Sequence, residues 1–135
     1  MKYLLDTNII LELLLDQEQA DDVSRFLGQT SPERLYLSEF SLYSLGIILV
    51  RFKLYDTFVG AVDDLVTYGG ICLVRLASEH MARVAEAAKA FSLDFDDAYQ
   101  YVAAEIHDLT LLSFDRDFDR TTRGRKMLSE VMNET

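Results

Sequence analysis

The chain opens with Tyr3-Leu4-Leu5-Asp6-Thr7-Asn8-Ile9-Ile10, in which a carboxylate directly follows a short apolar run. Near the other end, a similar run at Thr110–Phe114 leads into Asp115. Short apolar runs with turn signals at their ends are typical of strands that are buried on both faces. The sequence therefore predicts four strands, at Tyr3–Leu5, Leu35–Leu37, Ile71–Leu76 and Thr110–Phe114.

Helical periodicity marks the stretches that lie between and after these strands. The predicted helices span Asn8–Leu15, Glu18–Leu27, Glu39–Phe52, Thr57–Tyr68, Ser78–Phe91, Asp96–Leu109 and Arg125–Met132. Strands that alternate with helices favour an α/β fold. We predict a three-layer sandwich, with a mainly parallel sheet of four to five strands flanked by helices. With no linker or repeat in the sequence, we expect a single domain over residues 1–135.

The composition excludes several classes of protein. Half of the 135 residues are hydrophobic, which is enough for a sizeable core. The net charge of −10 argues against a protein that coats nucleic acid or an anionic membrane non-specifically. No apolar run approaches the ~18 residues of a membrane span, and the acid at position 6 comes too early for a signal peptide. A single cysteine favours a reducing compartment, so we expect a cytoplasmic protein without membrane attachment.

One predicted helix, Glu39–Phe52, contains the stretch Leu45–Val50, which is apolar on all sides. A helix of this kind needs cover on more than one face. It is either buried within the folded chain or part of a subunit interface, where Gly46 would let another backbone approach closely. Both interpretations are compatible with the sequence.

The positions of three acids suggest a shared site. Asp6 and Asp115 each follow a predicted strand, and the carboxyl ends of parallel strands meet at one edge of a sheet. Asp97 begins a helix that could start at the same edge. Carboxylates brought close together repel one another unless a cation neutralises them, and Mg²⁺ or Mn²⁺ prefers such oxygen ligands. Taken singly, Asp6 and Asp97 could instead be helix caps, and Asp115 a turn residue.

Three segments, Leu4–Ile10, Asp97–Ala104 and Leu112–Phe118, resemble the PIN domain family in their residues, order and spacing. They are most similar to its VapC-like members, the ribonuclease toxins of toxin–antitoxin pairs. The resemblance implies a PIN-like parallel sheet flanked by helices and an endoribonuclease that depends on Mg²⁺ or Mn²⁺. By position, Asp6, Asp97 and Asp115 match the family's catalytic, metal-binding aspartates. The resemblance further implies a small antitoxin partner and a homodimer.

The chain departs from the family at one position. The family usually has a further acid six residues after a Ser or Thr, and counting from Ser38 leads to Ser44. Glu39 is a tentative substitute as a metal ligand, although it lies about 140° from Ser44 around a regular helix. Glu39 could equally be an acid that complements the helix dipole. We expect Asn8, Ser113 and Ser44 to orient carboxylates or water around the metal.

A basic cluster follows Asp115, with five of the 13 Lys and Arg residues between positions 116 and 126. From it we predict Arg116, Arg120 and Arg123 as contacts to RNA phosphates, the alternative being ion pairs within the chain. Tyr99 and Tyr101 could stack on bases, but aromatic residues in helices more often pack in the core.

The leading hypothesis is therefore an RNA-cleaving enzyme that uses Asp6, Asp97 and Asp115 to hold Mg²⁺ or Mn²⁺. A second hypothesis is a catalytically weak, PIN-like binding or regulatory module, because Ser44 replaces the expected acid. A third is a phosphatase of the haloacid dehalogenase type, which would need an Asp where this chain has Asn8.

Overall fold

The computed structural model describes residues 1–132, which form a sheet of four parallel strands. The strands are β1 (Tyr3–Leu5), β2 (Leu35–Ser38), β3 (Cys72–Val74) and β4 (Thr110–Leu112), in the spatial order β3-β2-β1-β4. The predicted parallel sheet is confirmed. The predicted strands at Ile71–Leu76 and Thr110–Phe114 are too long, because pairing stops at Val74 and Leu112.

Seven α-helices lie in the described part of the chain. They are α1 (Thr7–Leu14), α2 (Ala20–Gln29), α3 (Glu39–Arg51), α4 (Tyr55–Val62), α5 (Met81–Phe91), α6 (Phe95–His107) and α7 (Leu128–Met132). None of these helices is both long and apolar enough to cross a membrane.

Two predicted helices differ from the structure. The predicted helix Thr57–Tyr68 is divided into α4 and a π-helical segment, Asp63–Thr67. The last helix begins at Leu128 and not at Arg125, because Lys126 forms a parallel bridge with Leu112 beside β4.

The alternation of side chains along β1 produces the three layers. Tyr3 and Leu5 point into one apolar cluster, which also contains buried residues of α1, α2, α3 and α7. Leu4 points into a second cluster, formed mainly by α5 and α6. Because all three side chains are at most 1% exposed, β1 is covered on both faces, as the continuous apolar run indicated.

The pairing of β1 with β4 determines where the site lies. Tyr3 pairs with Thr110 and Leu5 with Leu112, so the two strands end side by side. The Asp6 amide donates to the Leu112 carbonyl at 3.0 Å, just beyond the paired residues. The residues that follow β1 and β4 therefore lie at the same edge of the sheet.

Helix α3 is only partly buried by its own chain. Leu45 and Leu49 lie in the first apolar cluster, whereas Ile47 is 60% exposed. At Gly46, a Cβ atom would lie 3.1 Å from Cζ of Phe58 on α4. Gly46 therefore makes room for a side chain of the same chain, as the interpretation of burial within the folded chain expects.

The turn that leads into β3 depends on a glycine that has no room for a side chain. A Cβ atom at Gly69 would lie 2.0 Å from the Asp64 carbonyl oxygen, whereas Gly60 in α4 has open space. We expect Gly69→Ala to lower the free energy of unfolding by about 1–3 kcal/mol. Gly60→Ala should raise it by about 0.5–1 kcal/mol, because alanine favours a helix. Urea unfolding measures both, and equal effects of the two substitutions would contradict this packing.

Candidate metal centre

Asp6 is buried at the junction of β1 and α1, where it caps the helix. Its Oδ1 accepts hydrogen bonds from the Thr7 amide at 2.8 Å and from Nε2 of Gln100 at 3.1 Å. Its Oδ2 accepts one from the Ser113 hydroxyl at 2.7 Å. The side chain caps α1, as the alternative interpretation expected, and also faces the site. Burial raises the pKa of Asp6, although the three donors favour its ionised form.

Asp115 and Asp97 come from different elements and approach each other at the strand ends. Asp115 follows β4 and begins a 3₁₀ turn, in which its Oδ1 accepts from the Asp117 amide at 2.8 Å. Asp97 lies in the first turn of α6. Oxygen atoms of Asp97, Asp115 and Asp117 all lie within 4.8 Å of one another. The structure thus brings two of the three predicted ligands into one cluster.

Asp117 is a candidate ligand that the sequence analysis did not single out. It lies in the basic segment after Asp115. The 3₁₀ turn Arg116–Arg120 places its carboxylate beside that of Asp115. The sequence does show two acids spaced by two residues, Asp115 and Asp117. Only the geometry of the 3₁₀ turn shows that their carboxylates lie close together.

The electrostatics of the cluster are unfavourable without a cation. Burial, followed by the negative charges of Asp115 and Asp6, raises the pKa of Asp97 to about 7. The part of this rise that comes from the neighbouring carboxylates indicates a local negative potential. Such a potential favours the binding of a divalent cation.

Asp6, Asp97 and Asp115 line one cavity of about 380 Å³. Its walls differ in chemistry. The acidic wall consists of Asp6, Asp96, Asp97 and Asp115, and the apolar wall consists of Leu11, Phe40, Ile47 and Ile48. The three predicted aspartates therefore face a common space. Their oxygen atoms suit Mg²⁺ or Mn²⁺, which are bound through a few carboxylates together with water and substrate phosphate.

Asn8 and Ser113 connect the elements that carry the acids. The Asn8 side-chain amide donates to the Ser113 hydroxyl at 3.2 Å, and its Oδ1 accepts from the Phe114 amide at 3.3 Å. The Ser113 hydroxyl also accepts from the Asp115 amide at 3.0 Å. Both residues lie where the sequence analysis expected them, in contact with the segments that orient Asp6 and Asp115.

Helix α3 presents Ser44 to the cavity and directs Glu39 elsewhere. Ser44 lines the cavity, so the position where the family carries an acid does face the site. Glu39 is absent from the cavity wall, and its carboxylate lies 3.9 Å from Nε of Arg75. The structure does not bring Glu39 to the acids, because α3 begins at this residue and turns Phe40 and Ser44 inward.

Arg120 is engaged within the chain. Its guanidinium donates to the carbonyls of Phe91 and Ser92 at 3.1 and 2.7 Å, at the end of α5. It also donates to Asp117 at 3.2 Å. The alternative of intrachain pairing therefore describes Arg120, which anchors the turn that carries Asp117.

Arg123 is engaged in a similar way, at the end of α6. It donates to the Leu109 carbonyl at 3.1 Å and lies 3.6 Å from the Asp108 carboxylate. Arg116, in contrast, is exposed and has no hydrogen bond or ion pair with residues 1–132. Of the three arginines predicted to contact RNA, Arg116 is the one whose guanidinium is free to do so.

The two tyrosines of α6 pack in the core. Tyr99 is 8% exposed, and its hydroxyl accepts from the Leu76 amide at 2.9 Å. Tyr101 is 1% exposed, and its hydroxyl accepts from the Arg123 amide at 3.2 Å. The structure therefore agrees with packing and not with base stacking for both residues.

The fold and the site together define a parallel α/β domain with a cluster of carboxylates at the strand ends. The PIN domain family model matches residues 3–124, and the chain belongs to the PIN domain family. Because the chain belongs to this family, the hypothesis of a phosphatase of the haloacid dehalogenase type is not retained. No curated protein matches the chain significantly.

Solved structures of low sequence identity share the fold. VapBC2 from Rickettsia felis, bound to a DNA fragment from its promoter, matches with a TM-score of 0.76 and 15% identity, covering 94% of this chain and 98% of that chain. A toxin–antitoxin complex from Klebsiella pneumoniae matches with a TM-score of 0.73 and 19% identity, covering 94% of this chain and 98% of that chain. FitAcB from Neisseria gonorrhoeae matches with a TM-score of 0.69 and 23% identity, covering 93% of this chain and 95% of that chain. These similarities confirm the PIN-like architecture.

The raised pKa of Asp97 predicts how stability depends on pH without metal. Between about pH 4 and 7 the folded protein binds a proton that the unfolded chain releases, so stability falls as pH rises through this range. Asp97→Asn removes the titrating carboxyl group and therefore this loss of stability. We expect the substitution to raise the unfolding temperature in EDTA more at about pH 8 than at about pH 5.

The exposed Asp16, outside the cavity, provides a matched control. Asp16→Asn should change the unfolding temperature equally at the two pH values. If Asp97→Asn behaves as the control does, the carboxylates do not interact as described.

Proposed function

We propose that this protein is an endoribonuclease that cleaves RNA phosphodiester bonds with the aid of Mg²⁺ or Mn²⁺. The observation that carries the proposal is the cavity at the strand ends. Asp6, Asp97 and Asp115 line this cavity, and oxygen atoms of Asp97, Asp115 and Asp117 lie within 4.8 Å of one another. PIN domains are generally nucleases, and the acidic cluster provides the ligands that this chemistry requires.

In this proposal, Asp6, Asp97, Asp115 and Asp117 hold the cation, and the first three are the catalytic residues. When bound, the ion supplies a water of lowered pKa and neutralises charge on the phosphodiester. The chain itself keeps the acids in place, since Ser113 contacts both Asp6 and the Asp115 backbone. The apolar wall of the cavity limits the access of bulk water to the acids.

The RNA substrate would approach a protein whose net charge is strongly negative. Arg116, in the turn after Asp115, is the exposed cation best placed to contact a phosphate near the cluster. Arg120 and Arg123 are held by backbone carbonyls and by Asp117 and Asp108. For these two residues the proposed role is to support the segment that carries the acids, and direct contact with RNA is not retained.

The proposal extends to the biological role as the toxin of a toxin–antitoxin pair, in the cytoplasm. The Klebsiella pneumoniae structure is a toxin–antitoxin complex, and VapBC2 is bound to promoter DNA. A small antitoxin protein and a second copy of the chain are the proposed partners. The exposed apolar side chains Tyr43, Ile47 and Val59 on α3 and α4 offer a surface that a partner could cover.

Cleavage of a single-stranded RNA in the presence of Mn²⁺ tests the enzymatic proposal. Asp6→Asn should lower the rate at least about 100-fold, because metal-assisted stabilisation of the transition state amounts to several kcal/mol. EDTA should abolish cleavage, and added Mn²⁺ should restore it. The rate is measured by gel electrophoresis of a labelled RNA.

Asp16→Asn, with the same change of charge outside the cavity, should retain the wild-type rate. Cleavage that persists both in EDTA and in Asp6→Asn would falsify the proposed mechanism.

Ser44 supports a second candidate function, that of a PIN-like binding or regulatory module with weak catalysis. Its side chain faces the cavity at the position where the family carries an acid. The cation site then has one carboxylate fewer than is usual in the family. The cluster of Asp97, Asp115 and Asp117 favours the enzyme, because Asp117 adds a carboxylate to the site although Arg120 pairs with its Oδ1.

A substitution at position 44 distinguishes the two candidates. We expect Ser44→Glu to raise Mn²⁺ affinity by at least about tenfold, because affinity increases with the number of charged ligands. Under the enzymatic proposal, wild-type protein already cleaves RNA in Mn²⁺. Under the module hypothesis, only Ser44→Glu cleaves. Calorimetric titration with Mn²⁺ and the cleavage assay are performed on the same preparations.

A further inference from the structure

The side-chain amide of Gln100, which donates to Asp6, is buried beside the acidic site. Gln100 lies on α6, one helical turn after Asp97, and is 2% exposed. Its neighbours in the helix, Tyr99, Tyr101 and Val102, are apolar core residues. Burying an amide among such residues is costly unless all of its hydrogen bonds are made.

The Gln100 amide makes hydrogen bonds with three different elements. Its Oε1 accepts from the Ser38 hydroxyl at 2.8 Å. Its Nε2 donates to Oδ1 of Asp6 at 3.1 Å and to the Ser41 hydroxyl at 2.5 Å. Within residues 1–132, no buried side-chain nitrogen or oxygen lacks a partner. The amide therefore connects α6 with the end of β1 and with the start of α3.

The orientation of this amide is determined by Asp6 and Ser38 together. The Ser38 hydroxyl accepts from the Ser41 backbone amide at 3.0 Å and donates its one hydrogen to Oε1 of Gln100. The Asp6 carboxylate can only accept, so a reversed amide would place two oxygen atoms against each other at Asp6 and would lose the hydrogen bond that Ser38 donates. An N–H group, and not a carbonyl, therefore faces the Asp6 carboxylate.

We propose that Gln100 is a positioning residue that fixes Asp6 relative to Asp97 for the binding of a divalent cation. The two acids come from different elements, β1 and α6, and the hydrogen bond from Gln100 to Asp6 joins these elements next to the site. The same hydrogen bond fixes the position of Oδ1 and therefore the orientation of the Asp6 carboxylate toward the cavity. This inference rests on the proposed function, since it assumes that Asp6 is a cation ligand.

A purely structural role for Gln100 would predict lower stability with unchanged cation affinity. The positioning role predicts that affinity falls, because residues that orient metal ligands typically contribute about 10–100-fold to affinity. Cation affinity, compared among variants of similar stability, therefore separates the two roles.

The experiment is a calorimetric titration of the full chain with Mn²⁺ alone. Gln100→Met keeps the length of the side chain and removes both donors, and we expect its Mn²⁺ affinity to be about 10–100-fold lower. Ser38→Ala removes the group that orients the amide, without touching Asp6, and should reduce affinity by a smaller factor. Thermal unfolding in EDTA measures the stability of each variant.

Thr30→Val is the matched control, because the Thr30 hydroxyl is buried and donates to the Phe26 carbonyl at 2.7 Å. This variant should lose stability and keep wild-type Mn²⁺ affinity. In the cleavage assay, Gln100→Met at limiting Mn²⁺ should lower kcat with little change in the KM for RNA.

The outcomes separate this inference from the proposed function. If wild-type protein binds Mn²⁺ and Gln100→Met binds it equally well, the positioning role is wrong and the enzymatic proposal is unaffected. If Gln100→Met does not fold, Ser38→Ala decides, and wild-type affinity in that variant overturns the inference. If wild-type protein binds no Mn²⁺, both the positioning role and the metal-dependent function are contradicted.

Discussion

The parallel pairing of β1 with β4 is the constraint on which the site depends. These strands are distant in sequence, yet their register makes them end together, with the Asp6 amide bonded to the Leu112 carbonyl at 3.0 Å. Asp6 and Asp115 face one cavity because Asp6 follows β1 directly and Asp115 lies three residues beyond the end of β4. A slip of one residue would turn Leu4 and its neighbours on β1 to the wrong apolar clusters. The same packing that stabilises the sheet therefore determines the position of the carboxylates.

Helix α6 adds the second part of the site and shows how stability and function compete. Its apolar residues are buried against the sheet, which holds the first turn of the helix, with Asp97, next to Asp115. This arrangement buries Asp97 and brings negative charges together, and both effects, burial first, raise the pKa of Asp97. Protein folds tolerate such local conflict mainly at functional sites, where a ligand offsets it. The acidic cluster is a cost to the unliganded fold that a bound cation would remove.

The parts of the structure that follow from local pattern could be predicted from the sequence. Apolar runs that end in a carboxylate identified β1, β4 and the positions of Asp6 and Asp115. The remaining parts depend on tertiary geometry. The start of α3 at Glu39 was predicted, but whether Glu39 or Ser44 faces the cavity depends on how the helix packs against other elements. The roles of Arg120 and Gln100 depend on hydrogen-bond partners in other elements of the fold, which the pattern of the sequence does not identify. Asp117 became a candidate only through the 3₁₀ turn that follows Asp115.

Anomalous diffraction from a crystal soaked in Mn²⁺ shows whether these carboxylates share a divalent cation. We expect an anomalous peak in the cavity, at about 2.0–2.3 Å from oxygen atoms of Asp97 and Asp115 and near Asp6. Mn²⁺ bound elsewhere in the crystal, or no bound Mn²⁺ and unchanged carboxylates, would rule out a shared cation.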